Sequence, residues 1–410
     1  MHILVVTDQH PESLGGAQVA IRTQRASLER LGHRVTIAAP ALHRPGYEAV
    51  GEDRGAFIGL PSRPITKDRE YGLSWPGRRT DRALATALRG RPPVDLVHVQ
   101  GDFWGAMIGV RAARGLRVPL VFTLHNNVDQ GTRAVTPLAP LVFAGLRAWR
   151  SLVLRRPRGE VSPRARGAWR YLAELAAEGD AVIAPSRHFA EQLERQGVAA
   201  EASVVRGGVD DESIEAVSGS PRSERTRPRL VWLGRMSHEK RVLEFVDAVA
   251  RSGVDADVRL FGAGLLLKQV NERIAEAGLE DRVRVVGPVP HEIALAELRD
   301  ADALVQTSVG FETQGLTPFE AAALGTPTVF CDPAIAEDAA VTPAWLVPAE
   351  GAADRSRAVD ALASTLAEAV RELAASPGGL RVDELQARAF MQSEQTRRLV
   401  EVYERVLGAR

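Results

Sequence analysis

One feature constrains the fold more than any other. Short runs that are apolar on both faces alternate with segments of helical length, and the series runs twice. In the first series the apolar runs fall at 3–7, 35–39, 57–60, 96–99, 120–124, 181–184 and 203–205. A strand without a polar face must be covered on both sides, and the alternating helices supply that cover. The pattern therefore predicts a parallel sheet with helices on each face. The helix after the first strand reads as 17–31, closed by Gly32 in a left-handed position. The pattern restarts with runs at 230–233, 258–261, 283–286, 303–306 and 328–330. Between the two series, 211–229 holds Pro221, Pro228, serines and charges without apolar periodicity, which predicts a linker. The expected class is α/β, with two doubly wound domains facing a cleft. The N-terminal domain is expected over 1–210 and the C-terminal one over 230–385. A last helix over 386–410 is expected to pack back on the N-terminal domain.

Lys+Arg and Asp+Glu both number 52, so the net charge is zero, which argues against a protein that holds nucleic acid by bulk charge. A single cysteine, Cys331, excludes an internal disulfide framework and points to a reducing compartment. The run at 3–7 is too short for a signal-peptide core, and no stretch reaches the ~20 apolar residues of a membrane span. The expected location is cytoplasmic, peripheral on the inner face of the cell membrane. That last element comes from 138–170, expected as an insertion on the N-terminal domain. It carries eight arginines against one acid, Glu160, with Trp149, Trp169 and aliphatic residues between them. Basic and apolar residues interleaved in this way suit a helix lying in an anionic bilayer interface. Trp149, Arg150, Arg155, Arg156 and Arg158 are the residues expected to face it. The alternative is a basic surface that pairs with acids elsewhere while the tryptophans pack into the core.

Ligands in open parallel sheets bind beyond the C-terminal ends of strands, where helix N-termini favour anions. The strand exits therefore supply the candidates. Gly15 and Gly16 follow the first strand and precede a helix, and paired glycines allow close approach to a phosphate. Gly262-Ala263-Gly264 lacks the third glycine of a dinucleotide fingerprint. His125 stands after the fifth strand, where it can donate to a substrate hydroxyl; His98 reads as structural. Gly234-Arg235-Met236-Ser237-His238-Glu239-Lys240 sets two cations at a helix entry, where the helix dipole disfavours them. Gripping a diphosphate would justify both. The most specific signal runs from Phe311 to Pro327. In it seven residues separate Glu312 from Glu320, Gly315, Leu316 and Thr317 among them. A loop carboxylate at Glu312 can accept bonds from sugar hydroxyls. Glu320 can take a ribose diol, or it can simply close a capping box begun by Thr317 with Pro318 at the first helical position.

This E-x7-E arrangement resembles the signature of the retaining glycosyltransferases of family GT4, which share the GT-B fold of two Rossmann-like domains. The Gly15-Gly16 loop, Thr123-Leu124-His125, Ile183-Ala184-Pro185-Ser186, Val204 to Asp210, Leu233-Gly234-Arg235 and Phe261 to Gly264 are similar to family motifs in the same order. The chain departs from the family at Gly207, where asparagine is common, and at Arg241, where glycine usually follows the lysine. The resemblance implies a hexosyltransferase that uses a UDP- or GDP-sugar and needs neither metal nor other cofactor. It implies that Glu312 binds the donor sugar, Glu320 the ribose, and Arg235 and Lys240 the diphosphate, with Gly234, Gly315, Leu316 and Thr317 lining the donor site. Gly15 and Gly16 would approach the donor phosphate, and His125 the sugar near its reacting carbon. The expected acceptor is a membrane lipid or an envelope glycan precursor. The alternatives are a nucleotide-sugar epimerase of the same fold and a non-catalytic nucleotide-sugar-binding protein.

Overall fold

The computed structural model describes residues 1–13, 15–47, 53–155, 157–219, 221–349 and 354–409. The chain forms two compact units: Met1–Gly208 with Gln395–Arg410, and Val209–Glu394.

The first unit is built on strands β1 (His2–Thr7), β2 (Arg34–Pro40), β3 (Phe57–Leu60), β4 (Arg63–Pro64), β5 (Gly72–Leu73), β6 (Leu96–Gln100), β7 (Leu120–Thr123), β8 (Ala181–Ala184) and β9 (Ser203–Val204). Seven of them form a parallel sheet in the order β3-β2-β1-β6-β7-β8-β9, while β4 and β5 make a small antiparallel hairpin. The strand order reverses between β1 and β6, and the crevice beyond that point is where such sheets bind ligands. Alternation along β1 sends Leu4 and Val6 into one core and Ile3 and Val5 into the other. The second core is completed by Leu399, Val402 and Tyr403 of the last helix, Gln392–Gly408. Each such buried side chain contributes about 1.5–3 kcal/mol. This packing explains why the C-terminal residues belong to the unit that begins the chain. His98 is buried in the same region, 2.7 Å from both the Thr123 hydroxyl and the Tyr403 hydroxyl, so its two ring nitrogens are satisfied.

The second unit holds β10 (Arg229–Leu233), β11 (Asp257–Phe261), β12 (Val283–Gly287), β13 (Ala303–Gln306), β14 (Thr328–Phe330) and β15 (Ala344–Leu346). They form a parallel sheet in the order β12-β11-β10-β13-β14-β15. β15 is absent from the sequence reading because only its central residue, Trp345, is buried. The stretch expected as a linker is instead part of this unit. Asp210 caps a helix, Asp211–Ser218, by accepting from the Ser213 amide at 3.0 Å, and Ile214 and Val217 are buried under it. Arg222, Arg225 and Arg229 then pair with Asp300 and Asp302.

The basic segment of the first unit differs from expectation in its direction. It forms the helix Ala139–Leu154 and the start of a second, Gly167–Ala176. Arg150, expected to face a membrane, is 1% exposed. Its guanidinium lies 2.7 Å from Glu178 and donates to the carbonyls of Arg155 and Glu174 at 2.8 and 3.0 Å. Trp149 also turns inward, packing on the core and on Trp75 with ring centroids 5.2 Å apart. The acids that neutralise this segment lie just beyond it: Glu174 takes Arg147 and Arg170, and Glu178 takes Arg114 and Arg150. Arg155 and Arg158 are exposed, whereas Arg156 lies outside the described residues. The outward stripe of the helix is apolar: Leu138, Leu141, Val142 and Leu152 are exposed. Among the described residues no helix is long and apolar enough to cross a membrane.

Candidate functional site

In the second unit the candidates gather at the C-terminal ends of β10, β11 and β13. After β10 the chain makes a loop at Gly234–Met236 and a single 3-10 turn, His238–Lys240, before the helix Val242–Ser252 begins. This loop lies against the one after β11: the Gly234 amide donates to the Phe261 carbonyl at 3.1 Å and the Met236 amide to the Ala263 carbonyl at 2.9 Å. Such close approach requires glycine. A Cβ on Gly262, whose φ is +121°, would sit 2.0 Å from the Gly234 carbonyl oxygen, and one on Gly264 would sit 2.4 Å from that of Met236. The Gly262-Ala263-Gly264 motif therefore supports a loop pair.

The turn delivers Lys240 to Glu312, and the two form an ion pair. Ser308, at the exit of β13, donates to the same Glu312 oxygen at 3.1 Å. Beneath them the Trp232 indole donates to the Thr307 hydroxyl at 2.8 Å, and that hydroxyl donates to the Lys240 carbonyl. Arg235 is exposed on the preceding loop. Next comes the helix Leu316–Ala323, with Gly315 as N-cap at φ +74° and no side-chain cap. Its first turn, with Leu316 and Thr317, presents a helix N-terminus, which favours an anion.

Glu320 departs from the capping-box reading. The helix begins one residue before Thr317, which removes Thr317 from the cap position and puts Glu320 in the second turn. Its carboxylate is 2.8 Å from His291 Nε2, at the start of the helix His291–Asp300. The hydrogen bond to Glu320 raises the His291 pKa, with burial opposing and the charges of Glu320, Glu292 and Asp210 reinforcing.

In the first unit the candidates share the C-terminal edge of the sheet. Gly15, at φ +148°, is the N-cap of the helix Gly16–Arg30 and supplies no side-chain cap; both glycines are exposed. His125 stands in the loop after β7, with Nε2 3.1 Å from the Gln100 side-chain oxygen. Burial pushes its imidazole down to about 4, so the ring is neutral at pH 7. Two acids that the sequence reading did not single out complete this edge: Asp8 after β1 and Asp102 after β6. Each stands one or two residues beyond a central strand, and that position was the available signal. Ser308, two residues beyond β13, carried the same signal, whereas His291 carried none, because only tertiary packing brings it to Glu320.

Two doubly wound parallel-sheet units fit the GT-B fold. The comparisons agree. Residues 14–213 match the family described as Glycosyltransferase Family 4, and 227–372 match Glycosyl transferases group 1. The chain belongs to this glycosyltransferase family. It is 26% identical over 350 residues to the alpha-monoglucosyldiacylglycerol synthase of Streptococcus pneumoniae, covering 80% of this chain and 70% of that protein. It is 28% identical over 379 residues to the 2-deoxystreptamine glucosyltransferase of Streptomyces kanamyceticus, covering 87% and 92%. Among solved structures, a sucrose-phosphate synthase from Thermosynechococcus elongatus superposes with a TM-score of 0.65 at 18% identity, covering 100% and 99%. The pneumococcal O-GlcNAc transferase in complex with UDP and GlcNAc superposes with a TM-score of 0.64 at 12% identity, covering 99% of each chain. These two likenesses concern the fold.

Proposed function

We propose that the chain is a retaining glycosyltransferase that moves a hexose from a UDP- or GDP-sugar to a hydroxyl of a membrane lipid. The observation that carries the reading is the grouping of Lys240, Ser308 and Glu312 beside the uncapped helix start at Gly315. In the proposed reaction the bond between the sugar C1 and the diphosphate oxygen breaks, and its electron pair leaves with the nucleoside diphosphate. Arg235, Lys240 and the first-turn amides of Leu316–Ala323 stabilise that growing charge. The diphosphate draws Lys240 from Glu312, which then accepts bonds from the sugar hydroxyls. Glu320 accepts the ribose diol, with His291 holding its other side. The acceptor oxygen bonds to C1 from the face the diphosphate leaves, and its proton passes to the departing phosphate. For the first unit, the family resemblance assigns Gly15 and Gly16 to the donor phosphate and His125 to the sugar.

The lipid acceptor is supported by the exposed stripe of Leu138, Leu141, Val142 and Leu152, with Arg155 and Arg158 exposed beyond its end. An apolar face flanked by cations suits an anionic bilayer interface, with the protein peripheral to the membrane. The likeness to a glucosyldiacylglycerol synthase points the same way. A second reading, a soluble aminocyclitol acceptor, is favoured by the match along 92% of the 2-deoxystreptamine glucosyltransferase. Incubation with UDP- and GDP-sugars and either diacylglycerol vesicles or 2-deoxystreptamine separates them. Transfer to lipid alone is expected. Transfer to the aminocyclitol alone overturns the lipid reading, and turnover of no donor with either acceptor overturns this assignment of donor and acceptor.

A further inference from the structure

Asp8 and Asp102 follow β1 and β6, which pair in parallel at the point where strand order reverses. Asp8 is built to be an anion. Its carboxylate accepts the amides of Asp102, Phe103 and Gly105 at 2.6, 3.1 and 2.7 Å, capping the helix Trp104–Leu116. Three amides at a helix N-terminus stabilise negative charge. Burial opposes them and pushes Asp8 up to about 6.

Asp102 is built differently. It is fully buried. One carboxylate oxygen, Oδ2, accepts from the Asn126 backbone and side-chain amides at 3.2 and 2.5 Å, and the His125 backbone amide also donates to this carboxylate. The Tyr171 hydroxyl donates to its carbonyl at 2.8 Å. The other oxygen, Oδ1, is buried with no hydrogen-bond partner. The groups facing the pair are Asp8 from β1, His125 from the loop after β7, and Tyr171 from Gly167–Ala176, with Arg150 behind Tyr171 and already held by Glu178. His125 is neutral at pH 7, so among the described residues no cation faces Asp102 directly. A buried carboxylate without a cation, beside a second carboxylate, is costly. A proton on Oδ1 removes that cost and leaves Oδ2 accepting the loop amides. Burial first, and the Asp8 charge second, push Asp102 up to about 7.

We propose that Asp102 is the positioning residue of the His125 loop and works as a neutral acid, with Asp8 carrying the only charge of the pair. Below about pH 7 the loop then hangs from a carboxylic acid. Above it two carboxylates repel one another beneath the His125 loop. The kinetic part of this inference rests on the glycosyl-transfer reading; the folding part does not.

The experiment compares wild type with Asp102→Asn, a neutral isostere, and Asp102→Leu, which has no acceptor for the loop. Melting temperature is measured from about pH 5 to about pH 9. Both raised acids bind protons in the folded state that the unfolded chain has released, so wild type loses stability as pH rises from the ordinary carboxyl value of about 4 and the loss is complete above about 7. Asp102→Asn is expected to lack most of that fall. Parallel curves overturn the proposal without bearing on enzymatic activity. With a working donor and acceptor, kcat of wild type should fall as pH rises above about 7, with donor KM steady. Asp102→Asn should keep its kcat there, and Asp102→Leu should lose at least about tenfold at every pH. An Asp102→Asn enzyme inactive at acidic pH would show that the ionised form is required, and would overturn the proposal. If wild type turns over no donor, the functional reading fails while the melting curves still decide the role of Asp102.

Discussion

Neutralising Glu178 should destabilise the first unit strongly, although the residue touches no part of the proposed chemistry. Glu178 Oε1 lies 2.7 Å from Arg150 Nη2, with the two side chains 0% and 1% exposed. In Glu178→Gln the guanidinium stays buried against the carbonyls of Arg155 and Glu174 without its counter-charge. Removing one partner of a buried pair costs about 3–5 kcal/mol. Arg114, whose side chain is 34% exposed, also loses Glu178 but can turn to water, so it adds little. Arg150→Met should cost less than Glu178→Gln, because Glu178 keeps Arg114 on its other oxygen at 2.6 Å. The double variant Arg150→Met with Glu178→Met buries no charge and should return to within about 1 kcal/mol of wild type. Urea unfolding followed by tryptophan fluorescence reads this well, since Trp75, Trp104, Trp149 and Trp169 lie in the first unit and only Trp232 and Trp345 in the second. Two outcomes refute the reasoning. One is a cost below about 1 kcal/mol for Glu178→Gln. The other is an Arg150→Met protein of unchanged stability that no longer sediments with anionic vesicles, which would mean the arginine faces outward after all.

The remaining predictions concern the second unit and the exposed helix. Glu312→Gln should leave the melting temperature near wild type and cut kcat by at least about 100-fold with any working donor; steady-state kinetics on that donor checks it. His291 is held above its ordinary pKa by Glu320, so its stabilising contribution is present below about pH 6.5 and lost as pH rises through the raised value. Melting curves of His291→Ala should therefore lack part of the decline that wild type shows on the alkaline side. Gly262→Ala forces a Cβ to 2.0 Å from the Gly234 carbonyl and should destabilise the second unit by about 1–3 kcal/mol, read by denaturant melts. Leu141→Ser with Leu152→Ser should weaken sedimentation with anionic vesicles, and it should do so without loss of stability because both side chains are exposed.

The two doubly wound units were legible because a parallel sheet writes itself as apolar runs at helical spacing, and the runs were long enough to read. β15 was not, since one buried tryptophan in three residues makes no pattern. The inward turn of Arg150 fits the alternative of a basic surface paired with acids elsewhere, and the helical phase makes it legible. At a period of about 3.6, Arg150 shares a face with Ala139, Phe143, Leu146 and Leu154, all packed in the core. Leu138, Leu141, Val142 and Leu152 fall on the other face. The charge of 138–170 by itself does not show this, because the neutralising acids are Glu174 and Glu178, on and just after the next helix. A charge count says nothing about direction, whereas a helical phase does. The candidate site divides the same way. Lys240 and Glu312 sit at strand exits, so the rule for open sheets finds each of them, but not that they pair. The bond between His291 and Glu320, 29 positions apart in sequence, depends on the packing of two separate helices. Asp8 and Asp102 satisfy the strand-exit rule as well as Lys240 or Glu312 does. An acid directly after a central buried strand has to be capped, paired or protonated, and Asp8 and Asp102 divide those duties by what surrounds them: amides for one, an unpartnered oxygen for the other.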